Sequence, residues 1–491
     1  MPPCGVAHER LLDLLRERDV GPPTVVEADP LPEVVDLRTR VDQILPLVCA
    51  AYHSAMIRST MSVMCGAMVL FVCWLAWLLG HPALIRENSR LVTFAGVAMI
   101  ILGIRGLPGG IPSLKVQTEA GIYSNVAPGP SGTRNAQIRR ALQSWLSGVR
   151  PTPYLRSGEL CTFVPFALNR MRGRKVAYER IWLQAADQEH LAMDWVFPPS
   201  GFDPERPVVL ILTGLVPRLH WAQEGGFVSD AAWHLTAELG MTAVVLVPRG
   251  SMSTPVREHL FHGARVSDVR EVVLFVEDAL GKVRDVDSAS HRLPIFGAGF
   301  SMGAITLANY CGCYGADARL LGAVTLSGVH DGMANLAFEY SAKTWQPFLA
   351  RSVKQTFGKG RPAEVAAKRG VDIDHVLSRK VASVHDFDEA FVVPFNGYKD
   401  LAHYYRDLGL SGDEKWKQVE VPMLAVASQD DPITHCDSLR ADEYSRGNAQ
   451  LLFLITERGG HCGWPLGWAP WRRSFCSEAI SVFIEAVLAC G

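Results

Sequence analysis

Six short apolar runs, at residues 208–212, 243–247, 293–296, 323–326, 423–427 and 451–455, recur through the C-terminal part of the chain with helical patterns between them. A strand that is apolar on both faces has to be covered on both faces. The alternation therefore predicts an α/β fold, a mostly parallel central sheet flanked by helices, closed by a last helix at 474–489. From about 330 to 410 helical segments run on with no core strand, which predicts a helical cap inserted over the top of the sheet.

The run at 293–296 leads into Gly299, Phe300, Ser301, Met302 and Gly303 and then into a small, helix-compatible stretch ending at Tyr310. Strand, sharp turn and helix are what a nucleophile elbow requires. The turn strains the Ser backbone at a helix N-terminus, and the glycines let strand and helix approach. With 43 glycines in the chain, the bland alternative is a turn whose Ser caps a helix.

A serine nucleophile needs a base to take its proton and an acid to orient the base. Asp430 and Asp431 follow the run at 423–427, and His461 follows the run at 451–455 between glycines 459, 460 and 463. Both positions are C-terminal ends of strands, where catalysts gather in open α/β sheets. Asp431 directly precedes Pro-Ile and is the preferred acid, with Asp430 as the alternative. The developing oxyanion needs two donors, expected from the backbone N–H of Met302 and of Leu215, in the loop after 208–212. Asp268 is expected to orient either the elbow or the Arg249 loop. Trp464 and Trp468 are expected as packing.

The N-terminal part differs in composition. Residues 1–58 read as a tail, mobile to about residue 32, with a lead-in helix over 31–58. No Asp, Glu, Lys or Arg occurs between Arg58 and Arg86, and 61–79 is apolar nearly throughout. At 1.5 Å per residue such a run crosses a hydrocarbon core of about 30 Å. A second run, 91–104, is short for a span and reads as a second span or a re-entrant segment. Residues 59–112 are thus expected to anchor the chain in a membrane, 113–150 to form a linker, polar over 124–135, and an amphipathic helix. The globular domain then occupies 151–491.

A hydrophobic fraction of 48% and a net charge of −2 exclude a disordered chain and leave no basic excess for nucleic acid. The eleven cysteines are an odd number, with no C-x-x-C set, which argues for a reducing compartment and against a disulfide framework. Cys311 and Cys313 are expected as buried thiols facing different ways. No cofactor and no metal are expected.

Residue by residue, the chain resembles the membrane-anchored α/β-hydrolase-domain (ABHD) lipid esterases and their bacterial, fungal and plant relatives. Gly158, Leu160 and Thr162 match one family motif, with Glu159 and Cys161 departing from it. Asp194 and Trp195, Arg249 and Gly250, Thr254 and Pro255, and Asp268 match others. Asp386, Phe387 and Asp388, Gly397 and Tyr398, Tyr404 and Tyr405, Asp430 to Pro432, and Gly459 to Gly463 continue the series. The resemblance implies an α/β-hydrolase fold with Ser301 as nucleophile, Asp431 as acid and His461 as base, acting on acyl esters of lipids such as phospholipids or acylglycerols. An intracellular membrane such as the endoplasmic reticulum is the expected location. Pro217, Arg218 and Trp221 stand where the family is Gly- and Ser-rich, beside the expected oxyanion donors.

The leading expectation is a membrane-anchored serine hydrolase that cleaves lipid esters through an acyl-enzyme. Acyl transfer to an alcohol and a non-catalytic membrane scaffold are the alternatives.

Overall fold

The computed structural model describes residues 4–22, 121–123, 130–172, 174, 176–215, 226–252, 254–286, 293–470 and 474–490. All belong to one unit, 1–29 together with 118–491. The expected lead-in helix and the runs 61–79 and 91–104 lie outside the described residues. Among the described residues no helix is long and apolar enough to cross a membrane.

The sheet is built of β1 (Gly121–Tyr123), β2 (Glu179–Gln184), β3 (His190–Val196), β4 (Val208–Leu212), β5 (Thr242–Val247), β6 (Ile295–Phe300), β7 (Gly322–Leu326), β8 (Met423–Ser428) and β9 (Leu451–Thr456). Their order is β1-β9-β8-β7-β6-β4-β5-β3-β2. The six strands from β9 to β5 are parallel, and β1, β2 and β3 pair antiparallel at the edges. Each of the six apolar runs coincides with a strand, although β6 begins only at Ile295, two residues into its run. Each parallel strand is buried along its length, save the last residue of β9, as expected of a sheet covered on both faces.

Alternate residues feed two separate cores. On one face Val208, Leu210 and Leu212 pack with α4 (Ser267–Arg284) and α5 (Met302–Tyr314), and α1 (Cys4–Arg18) lies on the same core. On the other, Val209 and Ile211 pack with α2 (Pro130–Gly148) and α8 (Phe475–Leu488). Ser474 caps α8 by accepting from the Ser477 amide at 3.3 Å, one residue inside the expected start.

Residues 4–18 are not a mobile tail. Ala7, Leu11 and Leu15, spaced by four, are fully buried against the sheet. The Asp19 carboxylate accepts from the Trp182 amide at 2.9 Å, and His8 Nδ1 accepts from the Phe202 amide at 3.1 Å. The polar stretch expected at 124–135 is corrected too, because α2 already begins at Pro130, where a fixed φ suits the first helical turn.

Between β7 and β8 the described chain is helical. Short helices, among them α6 (Gln346–Phe357) and α7 (Leu401–Leu408), enclose their own core of Val353, Phe357, Phe387, Phe391, Tyr404 and Tyr405. That core continues onto Ile305 of α5 and Val329 after β7, and Met302 and Leu215 pack against it. The cap thus closes on Met302, which follows Ser301, and on Leu215, in the loop after β4.

Candidate active site

β6 ends at Phe300 and α5 starts at Met302, so Ser301 alone makes the turn, with φ 53° and ψ −116°. A non-glycine residue is strained there. Its N–H donates to the Leu326 carbonyl of β7 at 2.8 Å, and its own carbonyl accepts from Ala304 at 2.9 Å. A Cβ on Gly303 would lie 2.3 Å from the Leu212 carbonyl oxygen, so only glycine lets α5 approach β4 this closely. Sheet packing therefore holds the Ser301 backbone.

The His461 loop is fastened from three sides. Its amide donates to Thr162 Oγ at 2.8 Å, from α3 (Gly158–Arg172). The next amide, of Cys462, donates to Ser327 Oγ at 2.9 Å, and Ser428 Oγ donates to the Gly460 carbonyl at 3.0 Å. The imidazole so held lies with Nε2 2.8 Å from Ser301 Oγ and Nδ1 2.8 Å from Asp431 Oδ2. A carboxylate only accepts, so the neutral tautomer with its proton on Nδ1 satisfies both contacts.

Asp431 is held in turn. Its Oδ1 accepts from the amides of Ile433 and Thr434 at 2.8 and 2.9 Å, and its Oδ2 from Thr434 Oγ at 2.9 Å. Asp430 faces the other way, and its Oδ1 accepts from the amides of Gly459 and Gly460 at 2.8 and 2.9 Å. Burial pushes the Asp430 carboxyl up, against those two amides. Two thiols lie near the His461 loop, Cys161 and Cys462, and burial pushes both up to about 12. Neither supplies a thiolate at neutral pH.

Met302 occupies the first position of α5, whose first-turn N–H groups lack helical acceptors. Leu215 follows β4, where a Cβ on its neighbour Gly214 would lie 3.3 Å from Ser301 Cβ. Met302 thus directly follows the serine, and Leu215 directly follows the residue that borders it. Pro217, Arg218 and Trp221 lie outside the described residues.

Other singled-out residues are structural. Asp268 pairs with Arg249 through two contacts of 2.8 and 2.6 Å, and Arg249 also meets Asp187 at 2.6 Å. Of the Arg249 loop and the elbow, Asp268 serves the loop. Cys311 is buried, whereas Cys313 is exposed, which corrects the expectation of two buried thiols. Trp464 stacks on Phe475 as expected, whereas Trp468 is 74% exposed, which corrects the expectation that it packs. Thr162 was matched only by resemblance, and no spacing signal links it to a histidine 299 residues away. Among the described residues one group could hold a metal, His435, Cys436 and Asp437 on a surface turn, with donor atoms within 4.8 Å of one another.

No family model matches the chain. Human phospholipase ABHD3 is 26% identical over 324 residues, covering 64% of this chain and 73% of its own. Embryogenesis-associated protein EMB8 of Picea glauca is 25% identical over 327 residues, 61% of this chain and 65% of its own. The monoacylglycerol lipase of Saccharomyces cerevisiae is 25% identical over 278 residues, 54% of this chain and 57% of its own. Among solved structures, Pyrococcus horikoshii acylaminoacyl peptidase aligns with a TM-score of 0.40 at 14% identity, over 65% of this chain and 43% of its own. That likeness is too loose to bear on function.

The doubly covered sheet, with serine, histidine and aspartate joined at the C-terminal ends of its strands, is that of an α/β-hydrolase. Its relatives make the chain similar to the α/β-hydrolase-domain (ABHD) lipid esterases, and it is a carboxylic ester hydrolase.

Proposed function

We propose that this chain is a membrane-anchored serine hydrolase that cleaves carboxylic acyl esters of lipids through an acyl-enzyme on Ser301. His461 Nε2 takes the Ser301 proton as Oγ attacks the acyl carbonyl, and Asp431 holds the imidazole and stabilises its charged form. The N–H groups of Met302 and Leu215 receive the oxyanion. Collapse expels the alcohol with the proton from His461. Water then gives its proton to His461 as it attacks the acyl-enzyme, and collapse releases the acid while His461 returns that proton to Ser301 Oγ. The observation that carries this reading is the unbroken line from Ser301 Oγ through His461 to Asp431, with 2.8 Å at each contact.

A lipid substrate is supported by the phospholipase and monoacylglycerol lipase names of the relatives. The apolar cap core beside Ser301 agrees with an acyl substrate. Anchoring rests on the uncharged stretch 59–85 and on the apolar run 91–104, and an intracellular membrane such as the endoplasmic reticulum is the proposed location. Acyl transfer to an alcohol is a second reading. A medium-chain fatty acid ethyl ester synthase/esterase of Saccharomyces cerevisiae, 26% identical over 284 residues, favours it.

The test uses the full-length protein in detergent, offered phospholipids and mono-, di- and triacylglycerols, with and without added ethanol. Fatty acid release and labelling by a fluorophosphonate probe are expected, and both disappear in Ser301→Ala. Labelling retained by that variant removes Ser301 from the mechanism. Ethyl ester as main product selects the second reading.

A further inference from the structure

One segment of the cap carries a charge opposite to that of the whole molecule. Residues 346–382 hold eight Lys or Arg and three Asp or Glu, an excess of five positive charges in a chain whose total is −2. Within this segment lies an open groove of about 380 Å³ between α6 and residues 377–382. Its walls include Ala350 and Leu377, and its lining includes Arg351, Lys354, Lys359 and Arg379 but no carboxylate.

The groove is built rather than incidental. Lys354 Nζ donates to the carbonyls of Ser378 and Val381 at 2.7 and 3.0 Å, tying one wall to the other. Asp386, the acidic residue nearest to that lysine along the adjoining segment, accepts from the amides of Ala382 and Ser383 at 2.9 and 2.8 Å, which fixes it at a helix start. Arg351, Lys359 and Arg379 are exposed, and Leu377 is 39% exposed beside them. A cationic rim around an apolar, open floor is complementary to an anionic headgroup still attached to its acyl chains. It is less suited to a free ion, which has no use for the apolar wall, or to a neutral lipid, which has none for four cations.

We propose that this groove seats the phosphate headgroup of an anionic phospholipid, so that the cap makes a membrane contact of its own in addition to the anchor. It rests on the membrane placement proposed above. It does not depend on the chemistry at Ser301.

The experiment is lysine footprinting of the full-length protein with an acetylating reagent, read residue by residue by mass spectrometry. The protein is placed in vesicles of phosphatidylcholine alone or with one fifth phosphatidylglycerol. Lys354 and Lys359 are expected to lose reactivity several-fold in the anionic vesicles only, Lys282 of α4 to stay unchanged, and high salt to restore reactivity. The exposed double variant Arg351→Gln, Arg379→Gln is expected to lose most of the protection. Equal protection in both vesicles, none in either, or full protection by soluble glycerol phosphate without a bilayer overturns the proposal. Flotation with neutral vesicles reports the anchor separately, so failure of that reading is distinguishable from failure of this one.

Discussion

Asp430 and Asp431 are consecutive, yet their carboxylates serve different parts of one loop. Asp431 meets the His461 ring at 2.8 Å, while Asp430 holds the two glycine amides that precede it. Under the proposed mechanism, Asp431→Asn lowers kcat by about 10³–10⁴-fold with little change in KM, because the imidazole loses its tautomer and its counter-charge. Asp430→Asn keeps the ring partnered and costs roughly 1–2 kcal/mol of stability instead. Steady-state kinetics and urea unfolding of both variants check this. Equal loss of kcat in the two would sink the assignment.

Thr162 is the one side chain that receives the His461 amide, and it passes its own proton to the Gly158 carbonyl at 2.6 Å. Thr162→Val keeps the shape and leaves a buried N–H without an acceptor, a cost of about 1–3 kcal/mol. The ring is also freed to drift, so kcat should fall while Thr162→Ser retains it. A valine variant with wild-type kcat would show that the loop is positioned without this bond.

Gly158 supports the acid loop from below. A Cβ there would come 1.6 Å from the Asp430 carbonyl oxygen, inside the covalent range, so backbone must move. Gly158→Ala is expected to cost about 3 kcal/mol or more, visible as a fall in the thermal midpoint. An unchanged midpoint would mean that α3 and the acid loop shift apart freely.

Asp388 lies buried in the cap, accepting from Tyr405 Oη at 3.0 Å, and burial pushes its carboxyl up to about 7. His385 faces the same hydroxyl at 2.5 Å, and burial holds its ring below the usual histidine range. An unfolded Asp ionises near 3.9, so between about pH 4 and 7 the folded chain keeps a proton that the unfolded chain has released. Stability from this group is therefore lost as pH rises through that window, by at most on the order of 1.4 kcal/mol per pH unit, and is level above it. Asp388→Asn removes the slope. Its unfolding free energy relative to wild type should rise between pH 4.5 and pH 7.5; a constant difference would show that Asp388 is ionised throughout.

What was legible in the sequence follows from what each residue needs. The parallel strands announced themselves because burial on both faces demands continuous apolar runs. β6 extends past the apolar run at 293–296 because Gly297 and Ala298, weak as hydrophobic signals, are the residues a close-packed strand beside α5 accepts. β3 was missed because His190 and Asp194 break the apolar pattern, and β2 because Glu179, Arg180 and Gln184 leave only a three-residue apolar run. Asp194 is buried only because Arg180 meets it with two contacts of 2.6 and 2.8 Å, a pairing no period reveals. The serine, histidine and aspartate were readable from their order after successive strands. Their support was not, since Thr162 and Ser327 reach the loop across long sequence separations.

The docking of α1 makes residues 4–18 part of the enzyme body. Ala7, Leu11 and Leu15 complete the core that β4 and α4 share, so removing them would open that core rather than trim a tail.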